Sequence, residues 1–87
     1  MTWKVQFRRR GRDHDRPVDA TSAAAATEIA RLGLAGAPVD EAVVYHAQHA
    51  GIRATINREA GVNDTVQAAQ VLEAALAKLP SEPPSNP

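Results

Sequence analysis

None of the 87 residues is cysteine, so the chain has neither a disulfide framework nor a thiolate metal site. That excludes stapled secreted scaffolds and zinc ribbons, and it accords with a reducing compartment. Aromatics are almost missing as well: one Trp, one Tyr and one Phe. No sign of charge prevails, because 10 basic residues balance 10 acidic ones. The isoelectric point of about 6.8 lies well below the roughly 9 typical of a nucleic-acid-binding domain. No run approaches the roughly 18 consecutive apolar residues that span a bilayer. At the N-terminus, Arg8, Arg9 and Arg10 follow a short apolar stretch, the reverse of a secretory signal. The expected location is therefore the cytoplasm, with no membrane partner.

The most abundant residue is alanine. Apolar residues make up 44% of the chain, but 18 of them are Ala, leaving 20 larger ones. Burial is worth about 25 cal/mol per Å², and Ala has little area to bury. One core of this size supplies only about 3–5 kcal/mol, so an oligomer or a stabilising partner is a natural expectation. The zero net charge also hides a division. Residues 1–16 carry Lys4, Arg8, Arg9, Arg10, Arg12 and Arg16 against Asp13 and Asp15, a balance of +4; residues 17–87 carry −4.

From Thr2 to Arg10 the chain alternates, with Trp3, Val5 and Phe7 on one side and Lys4, Gln6 and Arg8 on the other. Period-2 alternation predicts a half-buried strand. Residues 11–15 form a polar turn, and 16–20 return as a second strand with Pro17 at its start. Thr21 or Ser22 caps a helix that Gly33 ends as its C′ residue. Asp40 caps a second helix over 41–50; Val43, Val44 and Tyr45 in a row suit a strand equally well. Ile52, Ala54 and Ile56 alternate as a further strand. Asn63 or Asp64 caps the last helix, which Pro80 stops. The fold expected is α+β, an N-terminal β-hairpin plus a third strand with about three helices packed on one face. The alternative, with a strand at 41–47, is a ββα-ββα duplication. Residues 1–79 make one small domain, a basic hairpin arm (2–20) on a helical body (21–79), and 80–87 a Pro-rich flexible tail.

Five side chains are candidates for partner or nucleic-acid contact: Arg8, Arg9, Arg10, Arg12 and Arg16, on and around the hairpin tip. A two-stranded ribbon fits the major groove, and guanidinium groups suit phosphates and guanine edges. Trp3, Phe7, Arg8, Gly11, Thr21, Ala24 and Ala25 resemble the strand–turn–strand–helix arm-binding module of tyrosine recombinases over residues 2–32, without its third strand. That resemblance implies DNA contact by the sheet. Residues 60–66 resemble the turn of repressor-type helix-turn-helix domains, with Thr-Val one residue early. Neither pattern is complete enough to assign a family.

His46 and His49 stand three apart, and His14 lies between Asp13 and Asp15. Their spacing is not that of a metal motif, so exposed titrating histidines are expected, with no metal and no cofactor. There is no Cys nucleophile, no GxSxG elbow and no phosphate-cradling glycine loop, so no catalytic residues and no small-molecule substrate are expected. Runs of Ala in the first and last helices suit helix packing across an assembly contact. The function expected is a non-enzymatic interaction or assembly module, of the kind a phage or mobile element carries as an accessory protein. It would bind a protein partner or self-associate; the alternative is a nucleic-acid-binding module acting through the arginine hairpin.

Overall fold

A computed structural model describes residues 2–79. The elements run β1 (Trp3–Arg9), β2 (Arg12–Asp13), β3 (Val18–Ala20), α1 (Ala23–Gly36), β4 (Glu41–His46), β5 (Arg53–Asn57) and α2 (Val62–Ala77). Among the described residues the class is α+β, with an antiparallel five-stranded sheet and two helices rather than three. The expected helix over 41–50 is the strand β4. Its residues Ala42, Val43 and Val44 are all buried because β4 has a partner on each side, β1 and β5. Neighbours on both sides shield even Val43 on the open face, so an apolar residue stands where alternation calls for a polar one and the period is hidden. The element order is thus ββα-ββα with the short β2 added. The expected Pro-rich tail over 80–87 lies outside the described residues.

β1 lies within the sheet, with β4 on one side and β2 and β3 on the other. Cross-strand partners share a face. Trp3, Val5 and Phe7 of β1 therefore point with His46, Val44 and Ala42 of β4 toward the helices. Lys4, Gln6 and Arg8 point with Tyr45, Val43 and Glu41 to the open face. The core is Trp3, Val5, Val44, Ile56 and Leu72 with Ala20, Ala23, Ala26, Ala30, Ala42 and Ala69. The expected spare Ala surface is thus partly spent within the chain, where α1 and α2 pack together.

Ser22 is the N-cap of α1, its Oγ accepting from the Ala25 N–H at 3.0 Å. Gly33 does not end that helix, which continues to Gly36. Its role is a close approach: a Cβ at Gly33 would collide with the Phe7 ring. The Phe7 side chain thus occupies the space a side chain on α1 would need. α2 starts at Val62 with Gly61 as N-cap, and the expected cap Asp64 sits one turn in, accepting from the Gly61 N–H at 2.9 Å. A strand, β5, precedes that turn, so residues 60–66 are not the middle of a helix-turn-helix.

Substituting Gly33→Ala gains about 1 kcal/mol of helix propensity but overfills the contact, which costs about 1–3 kcal/mol. A net loss of up to about 2 kcal/mol is expected in urea unfolding. Adding Gly33→Ala to a Phe7→Leu chain is expected to cost little, a coupling that a double-mutant cycle measures.

Candidate functional site

The hairpin that carries the arginines closes on two left-handed residues, Arg10 (φ 52) and Gly11 (φ 79). Two such residues make the tight turn that matches strand twist, and Gly takes the second place without strain. Arg9 and Arg12 face each other across the strands, and Arg8 faces Asp13. Pairing therefore splits the five arginines. Arg9 and Arg12 lie on one face, Arg8 on the other, Arg10 at the tip, and Arg16 beyond it with its N–H on Asp15 Oδ1 at 2.9 Å. Arg8 is also occupied: its Nη2 donates to the Gly11 carbonyl at 2.6 Å, and its Nε stands 3.6 Å from Asp13. Arg9, Arg10 and Arg58 line one depression of about 270 Å³ with Asp40. Asp40 Oδ2 accepts from the Arg10 N–H at 2.9 Å, and Arg58 reaches the Leu34 and Ala37 carbonyls at the end of α1.

The edge beyond β1 is interrupted. Between the pairs Arg8–Asp13 and Val5–Val18, β1 has two residues and the edge has four. The extra pair makes a bulge with Asp15 at φ 67. Gln6 holds it, its Nε2 donating to the Phe7 carbonyl at 2.9 Å and the Asp15 carbonyl at 3.1 Å. Nothing in the alternation singles out Gln6, since the pattern shows which way it points but not the loop it holds. Pro17 then precedes β3. A bulge and a proline both block the addition of a further strand.

The opposite edge, β5, has no such device. The His46 N–H donates to the Ile52 carbonyl, and by the alternation of antiparallel ladders Ala54 and Ile56 also bond inward to β4. The N–H and C=O groups of Arg53 and Thr55 therefore point outward, as does the Asn57 N–H. The Asn57 carbonyl accepts from the Ala60 N–H at 3.1 Å. Arg53, Thr55 and Asn57 are all exposed. α1 crosses every strand but β2, whereas α2 touches only α1 and β5. α2 buries three side chains, Thr65, Ala69 and Leu72, and leaves Val62, Val66 and Val71 more than half exposed. Between β5 and α2 lies a groove of about 400 Å³ whose walls include Thr55, Ile56, Glu59, Asp64 and Ala68.

On the open face Tyr45 stands between Lys4 and Arg53, its partners on the two neighbouring strands. Lys4 donates to Asp19 Oδ1 at 2.6 Å. That contact raises the Lys4 pKa and lowers that of Asp19. Glu28 and Arg31 pair on α1. The expectation of exposed histidines fails at His46, which is 2% exposed beneath the helices because β4 turns it toward Trp3. Its Nδ1 accepts from the Gln48 N–H at 3.1 Å, and the His49 ring lies 5.1 Å away. Among the described residues no group of three or more His, Cys, Asp or Glu is placed to hold a metal, and no helix is long and apolar enough to cross a membrane. No family model, curated protein or solved structure matches the chain.

Burial lowers the His46 pKa, and the neighbouring His49 lowers it further. The unfolded chain then binds the proton more readily, so stability is full above the ordinary histidine value of about 6.5 and lost as pH falls through it. Urea midpoints measured from pH 7.5 down to 5 are expected to fall in the wild type. The same series with His46→Gln is expected to be flatter over that window.

Proposed function

We propose that this protein is a non-enzymatic, cytoplasmic interaction module whose protein partner adds a strand to β5. The observation that carries this reading is the unprotected edge of β5 beside a half-covered α2. One edge of the sheet is blocked by a bulge and Pro17, while the other keeps outward backbone groups in a row. Unpaired edges are templates for another chain. The remaining chemistry supports binding over catalysis. Arg8 is tied to its own hairpin, His46 is under the helices, and Asp64 belongs to a helix start.

A specific observation favours nucleic acid as the second reading. Arg9 and Arg12 stand opposite each other with Arg10 between them, and Arg58 lines the same depression as Arg9 and Arg10. Such a cluster would meet phosphates, with affinity falling steeply as salt rises. A gel shift at low salt separates the two readings. Retardation that disappears with Arg9→Ala and Arg12→Ala together is the outcome of the second reading; no retardation is the outcome expected.

Thr55→Pro removes an N–H that faces outward and not one that bonds β4, so the ladder is kept. Pulldowns from the source cells, with and without nuclease, are expected to recover a protein with the wild-type chain and lose it with Thr55→Pro. Circular dichroism and urea unfolding check that the variant is folded. Recovery unaffected by Thr55→Pro, or dependent on intact nucleic acid, overturns the reading.

A further inference from the structure

Resting on that reading, we infer that the occupant of the β5 edge is a single extended segment of sequence basic–x–apolar–x–apolar–acidic, and not the β5 of a second copy. The exclusion of a second copy is steric. α2 lies over β5 at the sheet's margin and touches no other strand. Two copies joined β5 to β5 would set their strands about 4.8 Å apart. Their α2 helices would be carried to a similar separation, where packed helices need about 8–10 Å between axes. A bare strand with no helix behind it meets no such obstacle and fills the groove beneath α2.

The register follows from the edge. An added strand bonds to the outward groups of Arg53, Thr55 and Asn57, and antiparallel addition continues the pairing already present throughout the sheet. Its residues opposite Ala54 and Ile56 turn toward the helices, into the groove beside Ala68. Val71, one turn beyond Ala68 on α2, is 59% exposed. Those two positions of the partner call for apolar side chains. One step further the partner reaches the end of β5, where the Arg58 guanidinium is turned to the Leu34 and Ala37 carbonyls and the charged walls of the groove are Glu59 and Asp64. A Lys or Arg there is complementary. At the other end Arg53 projects to the open face, and an acidic residue opposite it completes the order. Because the added strand runs antiparallel to β5, the basic residue comes first.

The test tethers the segment Lys-Thr-Val-Thr-Val-Glu-Thr to the end of the full chain through a flexible Gly/Ser linker, so that millimolar effective concentration compensates for weak affinity. Two control chains carry the charge-reversed segment Glu-Thr-Val-Thr-Val-Lys-Thr, or the linker alone. Amide exchange is read at Arg53 and Thr55. The inference expects protection of both amides by tenfold or more over the linker control, with the reversed segment at least fivefold less protective. Glu59→Lys is expected to narrow that difference to twofold or less, because Asp64, left in its cap, and Arg53 still favour the original order. Equal protection by both segments overturns the charge order, and protection by neither overturns the inference. If the Thr55-dependent pulldown nevertheless succeeds, only the stated chemistry of the occupant has failed. If both fail, the strand-addition reading goes with it. A tail-less chain that dimerises with Thr55 amides protected overturns the exclusion of a second copy.

Discussion

β1 and β4 pair antiparallel over six residues, and almost every other contact is arranged around that pair. Their shared inner face carries Trp3, Val5, Phe7, Ala42, Val44 and His46, on which α1 lies. One contact sets how closely it lies there: the Phe7 ring occupies the side-chain space of Gly33. A helix pressed this near to the sheet needs small residues, and α1 buries Ala23, Ala26 and Ala30. The abundance of alanine that looked like surplus surface is, on α1, the condition for close approach. With α1 filling the middle, α2 is left at the margin, on α1 and β5 alone. The half-covered helix beside the open edge is thus a consequence of the central pairing.

β1, β5 and the two helix starts were the readable parts of the chain. Period-2 alternation marked β1 because its two faces differ, apolar toward the helices and polar toward solvent. β5 was marked for the same reason, and Ser22 by its position before an apolar-periodic run. β4 was ambiguous for the opposite cause. Val43 lies on the open face yet is 8% exposed, so an apolar residue appears where alternation would place a polar one. Gly33 misled because a glycine near a helix end usually supplies a left-handed residue. Here it supplies room for a ring 26 positions earlier in the chain, a reason no local window contains.

The arginines show the same limit in the candidate site. Their clustering in sequence was plain, but neighbours along a strand point to opposite faces, so five arginines within nine residues do not make one surface. The bulge and the short turn divide them further. The groove beside β5 had no signature at all. Its walls come from a strand edge, a loop and one flank of a helix, and its main offering is backbone, which has the same chemistry whatever the side chains. What could have been read was the contrast between the two edges, since Pro17 stands at the start of one and the other has no proline.

That contrast has a consequence for assemblies. A sheet with two open edges propagates, since each added strand or subunit exposes another acceptor, and the product is a fibre. This sheet has one open edge and one closed by its own bulge. On the strand-addition reading proposed above, a β-structure joined to β5 would gain a blunt end at the bulge of Asp15, where a further strand has no regular edge to pair with.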